Sequence, residues 1–358
     1  MRILLLSRYS SPGATSRYRC YQFLPYLRDH DVEVVPCPLL GDEYLRALNS
    51  GTSIPVVNVA GGYLRRLAAL MRRERFDLIW VQQEFFPWMP FTVERLLRST
   101  RVPYAVDFDD AFFHRYDMHP LKSVRWLLGT KIDAVMRDAA VVVAGNPYLV
   151  ARAETAGAKR IEILPTVVDL RRYQRKPRSE SEAFVIGWIG SPGNARYLQS
   201  IAGALRALTE DPHTRLEFIG AGPPGTIDGV VATYKQWQEN REAADLLGFD
   251  AGIMPLPDSP WEQGKCGLKL LQYMAAGLPV VGSPVGVNAD IIEDGVNGFQ
   301  AVTEADFIDR LSRLRKDPEM RYAMGAAGRE KVVQEYSLDD AAPRLLQILH
   351  RAAGKSVQ

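Results

Sequence analysis

The sequence predicts two doubly wound α/β domains in tandem, on three observations. Short apolar runs alternate with stretches of amphipathic, helical pattern, as in a parallel sheet covered on both faces. The alternation is interrupted once, by the polar and charged stretch DLRRYQRKPRSESEA at 169–183, and then restarts. The chain has 358 residues, more than one core comfortably holds when domains run to about 100–200 residues.

In the first half, RILLL at 2–6 reads as a buried strand, followed by the loop SRYSSPGATS and a helix beginning near Ser16. VEVVP at 32–36, FDLIWVQ at 76–82, PYAVDFD at 103–109, AVVVAG at 140–145 and RIEILP at 160–165 continue the series. The polar break at 169–182 reads as a linker, being rich in charge and poor in apolar residues. After it come the strand FVIGWIG at 184–190, a Gly/Pro loop and a helix from about Arg196. The strands RLEFIGAG at 215–222, LLGFDAGIMPL at 246–256 and PVVGSP at 279–284 follow. The expected domains are therefore 1–168 and 183–339. The last stretch, SLDDAAPRLLQILHRAAG, has an N-cap serine at Ser337 and an apolar stripe at Leu345, Ile348 and Leu349. That helix either closes the second domain or returns to the first. In doubly wound sheets ligands sit at the carboxyl ends of the strands, where the strand order reverses. Two such domains are expected to face each other across a cleft and bind a ligand there.

Composition narrows the classes. A net charge of +2 gives no global pull toward nucleic acid, so no nucleic-acid partner is expected. Arginine is nonetheless dense in YLRRLAALMRRERF at 63–76. As a helix this has one apolar and one basic face, read either as a solvated surface or as a peripheral contact with anionic lipid. The three cysteines, Cys20, Cys37 and Cys266, have no paired spacing, so neither a disulfide framework nor a zinc site is expected. The opening MRILLLSRYSSPG is too short in apolar residues for a signal core, and no run approaches the ~18 apolar residues of a membrane span. The expected location is the cytoplasm, with peripheral attachment at the inner face of the membrane as an option.

Chemistry concentrates in a few places. Gly13, in the loop after the first strand, permits close approach of a ligand to the following helix start. The sequence there is not G-x-G-x-x-G, which argues against a nicotinamide-linked oxidoreductase. In the matching loop of the second half, Gly190 and Ser191 offer amide and hydroxyl donors to a phosphate. The strongest signal is GKCGLKLLQYMAAGLPVVGSPVG at 264–286. Lys265 and Lys269 fall on one face of a helix that begins near them, and the glycines Gly264 and Gly267 allow a ligand to approach closely. Like charges at i and i+4 repel, and a helix N-terminus adds partial positive charge. Together they point to a bound anion, and a diphosphate suits them. Asp107 and Asp109 end the strand PYAVDFD and Asp110 follows it directly, so Asp109 and Asp110 are candidate catalytic or substrate-binding carboxylates. His114 is close enough in sequence to share that site. Asp258 and Glu262 lie in the loop leading to the lysines and are candidates for sugar hydroxyls.

With AAGLPVVGSPVG, EDGVNGF and PTVVD added to the lysine segment, the chain resembles the two-domain nucleotide-sugar glycosyltransferases. The resemblance is greatest to the large retaining family called glycosyltransferase family 4. It is most specific over 267–301 and extends to ILPTVVDLRRY at 163–173, while the first domain matches in pattern more than in residues. The resemblance implies the GT-B fold, two Rossmann-like domains with the nucleotide mainly on the second and a last helix, 340–358, crossing back to the first. It implies a nucleoside-diphosphate-sugar donor, no required metal or other cofactor, and a glycan, lipid-linked or small-molecule acceptor, as in polysaccharide biosynthesis. Lys265 and Lys269 would then hold the donor diphosphate and stabilise the leaving group, and Asp109 or Asp110 would orient the acceptor or move its proton. Two family glutamates with seven residues between them fall here on Gly264 and Gln272. Gln272 can still bond a ribose hydroxyl, and Glu262 or Asp258 can stand in for the first. Asp107-x-Asp109 also matches the short D-x-D pattern by which another class of sugar transferases holds a divalent ion. A second functional reading is a non-catalytic protein that binds sugar nucleotides or phosphoanions.

Overall fold

A computed structural model describes residues 1–50, 53, 56–97, 102–177 and 183–355. The chain divides into two compact units. The first contains Met1–Thr166, Gln263–Cys266 and Leu338–Gln358, and the second contains Val167–Glu262 and Gly267–Ser337.

The first unit is built on β1 (Arg2–Leu6), β2 (Glu33–Pro36), β3 (Leu78–Gln82), β4 (Tyr104–Phe108), β5 (Val141–Ala144) and β6 (Ile161–Ile163). They form one six-stranded sheet in the order β2-β1-β3-β4-β5-β6, and every neighbouring pair is parallel. The central strands β3, β4 and β5 are buried throughout, while the edge strands β2 and β6 are partly exposed. That gradient is why the central segments read as continuous apolar runs. The order reverses between β1 and β3. Gln82 stands beside Asp107 in the β3–β4 register, so the loops after these strands leave the sheet side by side.

One central position breaks the apolar rule. Asp107, in the middle of the sheet, is fully buried and is answered by Arg19. Arg19 donates through Nε to Oδ1 at 2.7 Å and through Nη2 to Oδ2 at 2.8 Å, and its Nη1 donates to the Leu164 carbonyl at 2.8 Å. The helix Leu338–Ala352 completes this unit, burying Leu345, Leu346, Ile348 and Leu349 and packing on the helix Leu24–Asp29 and on β4. In the helix Val56–Met71, the expected basic face lacks Arg66. Arg66 is buried and donates to the Phe85 carbonyl at 2.6 Å, because it shares the inward face with Gly62 and Leu70.

The second unit carries β7 (Phe184–Ile189), β8 (Thr214–Ile219), β9 (Thr233–Lys235), β10 (Ala251–Met254), β11 (Val280–Gly282) and β12 (Gly298–Gln300). Their order is β12-β11-β10-β7-β8-β9, again all parallel. The reversal lies between β7 and β10. Trp188, Leu205, Phe218, Ile253, Phe299 and Phe307 are among the side chains of its core. β9 and β12 are not expected from the sequence: they are three residues each, TYK and GFQ, with no apolar run. The stretch read as a linker is fastened to this unit as far as residue 177. Tyr173 is buried, and Lys176 pairs with Asp250 at 2.8 Å. The rest of that stretch, 178–182, lies outside the described residues, as does 356–358 at the end of the expected crossing helix.

Gly325, in the helix Pro318–Glu335, is where this helix meets the turn after Ala275. A Cβ built there would stand 2.0 Å from the Gly277 carbonyl oxygen. Gly325→Ala is therefore expected to destabilise the protein by about 1–3 kcal/mol, the cost of overpacking a close contact. A lower denaturant midpoint at unchanged slope would show it; an unmoved midpoint would show that the helix can shift freely.

Candidate functional site

In the first unit the candidate residues gather at the carboxyl ends of β1, β3 and β4. Gln82, Gln83 and Glu84 are polar yet buried. Gln83 has φ +66, a left-handed conformation unusual for a residue other than glycine, and such strain concentrates at functional positions. Its Nε2 donates to Asp109 Oδ1 at 3.3 Å, and its buried Oε1 accepts no hydrogen bond among the described residues. Burial, and then the neighbouring charge of Asp110, pushes the Asp109 carboxyl up to about 8. Asp110 Oδ1 stands 3.5 Å from Lys265 Nζ.

Lys265 reaches Asp110 because Gln263–Cys266 belongs by its contacts to this unit and not to the 183–339 segment in which the sequence reading places it. A Cβ on Gly264 would lie 2.4 Å from Ala111 Cβ, so only glycine lets the loop rest there. Asn146 Nδ2 donates to the Lys265 carbonyl at 2.9 Å. Cys266 is buried against Gly145, where an added Cβ would meet its Sγ at 2.4 Å. The expectation that both lysines ride one helix face is thereby corrected. The helix is Leu268–Ala275, and Gly267, at φ +67, precedes it in the left-handed region. A Cβ on Gly267 would strike Ile291 Cδ1 at 2.3 Å. Lys265 therefore precedes the helix and Lys269 lies in its first turn.

Two other candidates of this unit serve local structure. His114 is bonded at both ring nitrogens, Nδ1 to Asp117 Oδ1 and Nε2 to the Tyr148 hydroxyl, each at 2.8 Å. Gly13 has an ordinary φ of −74 at the start of the six-residue helix Ala14–Arg19. It is glycine because a Cβ there would sit 2.4 Å from Tyr9 Cβ. Asp107, the first aspartate of the D-x-D pattern, spends both carboxylate oxygens on Arg19.

In the second unit the candidates gather where β7 ends. The Gly190 amide donates to the Ile219 carbonyl at 3.0 Å. A Cβ on Gly190 would meet the Trp188 ring at 2.3 Å and Lys269 Cε at 3.0 Å, and Lys269 Nζ stands 5.4 Å from the Trp188 ring centroid. The Lys269 stem thus lies along the Gly190 turn, beside the sheet's reversal point. Ser191 is exposed in the same loop. Glu262 is buried and reaches the helix after that loop. It accepts from the Tyr197 hydroxyl at 2.6 Å and from the Ser259 hydroxyl, and Arg196 Nη2 stands 3.7 Å away. Asp258 is exposed. Gln272 is buried in its helix and donates to the Tyr173 hydroxyl at 3.2 Å. Gln83 and the Arg19–Asp107 pair were not anticipated. The one visible mark of Gln83 is the QQE triplet directly after an apolar strand; the pairing of Arg19 with Asp107 spans 88 positions and leaves no local pattern.

Residues 4–166 match the family model described as a glycosyl transferase 4-like domain, and residues 183–317 match the one described as glycosyl transferases group 1. The chain belongs to the glycosyltransferase 4-like family. Among curated relatives, the chain is 27% identical over 169 residues to the N-acetyl-alpha-D-glucosaminyl L-malate synthase of Bacillus anthracis, covering 44% of this chain and 42% of the relative. It is 26% identical over 235 residues to the D-inositol 3-phosphate glycosyltransferase of Mycobacterium tuberculosis, covering 56% of this chain and 45% of that one. The matches thus span less than half the length of these relatives. Among solved structures, sucrose-phosphate synthase from Thermosynechococcus elongatus superposes with a TM-score of 0.76 at 15% identity, covering 99% of this chain and 100% of that one. Anabaena HepE in complex with UDP and glucose gives 0.67 at 14% identity, covering 98% and 99%. These likenesses show the fold: the chain has the GT-B class of two Rossmann-like α/β domains.

Proposed function

We propose that this glycosyltransferase moves a sugar from a nucleoside-diphosphate-sugar to a hydroxyl of a glycan, lipid-linked or small-molecule acceptor. The second unit holds the donor and the first presents the acceptor. The observation that carries this reading is the Lys269 ammonium laid along the Gly190 turn, at the point where doubly wound sheets bind ligands. Anabaena HepE, of the same fold, was solved with UDP-glucose.

Breaking the sugar–phosphate bond leaves negative charge on the β-phosphate. Lys269 and the amides opening the helix Leu268–Ala275 stabilise that charge as it develops. The reading calls for no metal or cofactor in that role, and Asp107 is committed to Arg19. Asp109 accepts the proton of the attacking hydroxyl, held in place by Gln83, whose Oε1 is available to bond a second hydroxyl. Glu262 fixes the helix that follows the Gly190 loop. The family resemblance supports retention of configuration. Peripheral attachment to an anionic membrane is part of the proposal, on the exposed Leu64, Arg65 and Met71 of the helix Val56–Met71. Among the described residues no helix is long and apolar enough to cross a membrane.

Incubation with a panel of nucleoside-diphosphate-sugars tests the reading. Release of nucleoside diphosphate with transfer to an added acceptor is expected, with the donor's anomeric configuration kept in the product. A rise in melting temperature without release would leave only the non-catalytic reading, and no response would remove both. The acid side of the pH profile gives a second test. A base works deprotonated, and the Asp109 carboxyl is pushed up to about 8. Turnover should therefore climb with pH through that region and level off above it, and Asp109→Asn should abolish the climb. A flat profile between about pH 6 and 9 would assign the proton to another group.

A further inference from the structure

The loops at the reversal point of the first sheet carry a second arrangement. Arg8 follows β1, and its guanidinium carbon lies 4.5 Å from the centroid of the Phe112 ring. Arg115, on the loop and helix after β4, lies 5.2 Å from the centroid of the same ring and 5.0 Å from that of Trp88. Among the described residues no carboxylate pairs with Arg115. The carboxylate nearest Arg8 is Glu84, at 3.9 Å. Glu84 is already held by Lys131 Nζ at 2.6 Å and by the Tyr116 hydroxyl at 2.8 Å.

Two guanidinium groups sharing one ring repel each other, and a dianion bound by both would offset that repulsion. Guanidinium forks match phosphate oxygens in geometry, and aromatic faces hold the forks in orientation. Tyrosines stand at the same place. The Tyr9 ring centroid is 6.2 Å from that of Tyr44. Burial pushes the Tyr44 hydroxyl up while the charges of Arg8 and Arg115 pull it back. Trp88 has φ +63, so this loop, like Gln83, holds a strained residue.

We propose that Arg8 and Arg115, stacked on Phe112, bind a phosphate monoester carried by the acceptor. The proposal deepens the assignment of the acceptor to the first unit and rests on it, but it can be tested without turnover. Binding of glucose 6-phosphate, glucose and UDP is measured by calorimetry on the wild type, Arg115→Met and Lys269→Ala. Glucose 6-phosphate is expected to bind at least about tenfold tighter than glucose, and Arg115→Met to remove that advantage while leaving UDP binding unchanged. Lys269→Ala should do the reverse, weakening UDP and sparing glucose 6-phosphate. Arg115 is partly exposed, and unchanged UDP binding doubles as the check that the variant is folded. Equal binding of the two sugars, or an advantage that survives Arg115→Met, would overturn the proposal. So would an advantage lost in Lys269→Ala, which would place the phosphate at the donor residues. Failure of UDP to bind the wild type, with the Arg115-dependent advantage intact, would sink the donor reading and leave this subsite standing.

Discussion

Lys269→Ala should lower turnover by roughly two to three orders of magnitude, the usual cost of removing one donor aimed at developing oxyanion charge. The side chain is partly exposed and lies along the Gly190 turn over Trp188, so its removal leaves no cavity in the core and the fold should persist. The loss should fall mainly on kcat, because charge on the leaving phosphate is greatest in the transition state. A variant with near-wild-type kcat would remove Lys269 from the leaving group. Lys265→Ala should behave differently. Its ammonium stands by Asp110, so its loss should show in the acceptor KM.

The second large effect is on stability. Arg19→Met leaves the Asp107 carboxylate buried near the carboxyl end of β4 with neither of its two guanidinium bonds. Removing one partner of a buried pair typically costs about 3–5 kcal/mol, since the remaining charge stays uncompensated. That is a large share of a total stability of about 5–15 kcal/mol. The Leu164 carbonyl also loses its bond from Nη1. Denaturant unfolding measures the loss. The double variant Arg19→Met/Asp107→Leu should recover most of it, because two apolar side chains need no partner. A single variant within about 1 kcal/mol of wild type would mean that water or a rearranged donor reaches Asp107.

The central strands of both sheets are legible because burial on both faces selects mostly apolar residues, as in LIWV of β3 and VVVA of β5. β9 and β12 are not, since TYK and GFQ owe their pairing to neighbours already in place. The two lysines show the limit for the site. Their spacing is right for one helix face, but a left-handed Gly267 starts the helix at Leu268. Only the packing of Gly264 on Ala111 explains why Lys265 keeps company with Asp110. Arg66 is similar: its neighbour Arg65 is exposed while Arg66 turns inward to backbone carbonyls. Gln83 shows in the sequence only through the QQE triplet after an apolar strand; its left-handed backbone, which sets it toward Asp109, leaves no compositional trace.

The helix Leu338–Ala352 belongs to the unit that contains the first strand. On the ribosome, the residues of that strand emerge more than three hundred positions ahead of the helix that must cover their domain. The later-made unit, Val167–Glu262 with Gly267–Ser337, has all its strands before the final helix exists. The half of the polypeptide synthesised first is thus the last able to seal its interior, and until then chaperones have an apolar face to shield.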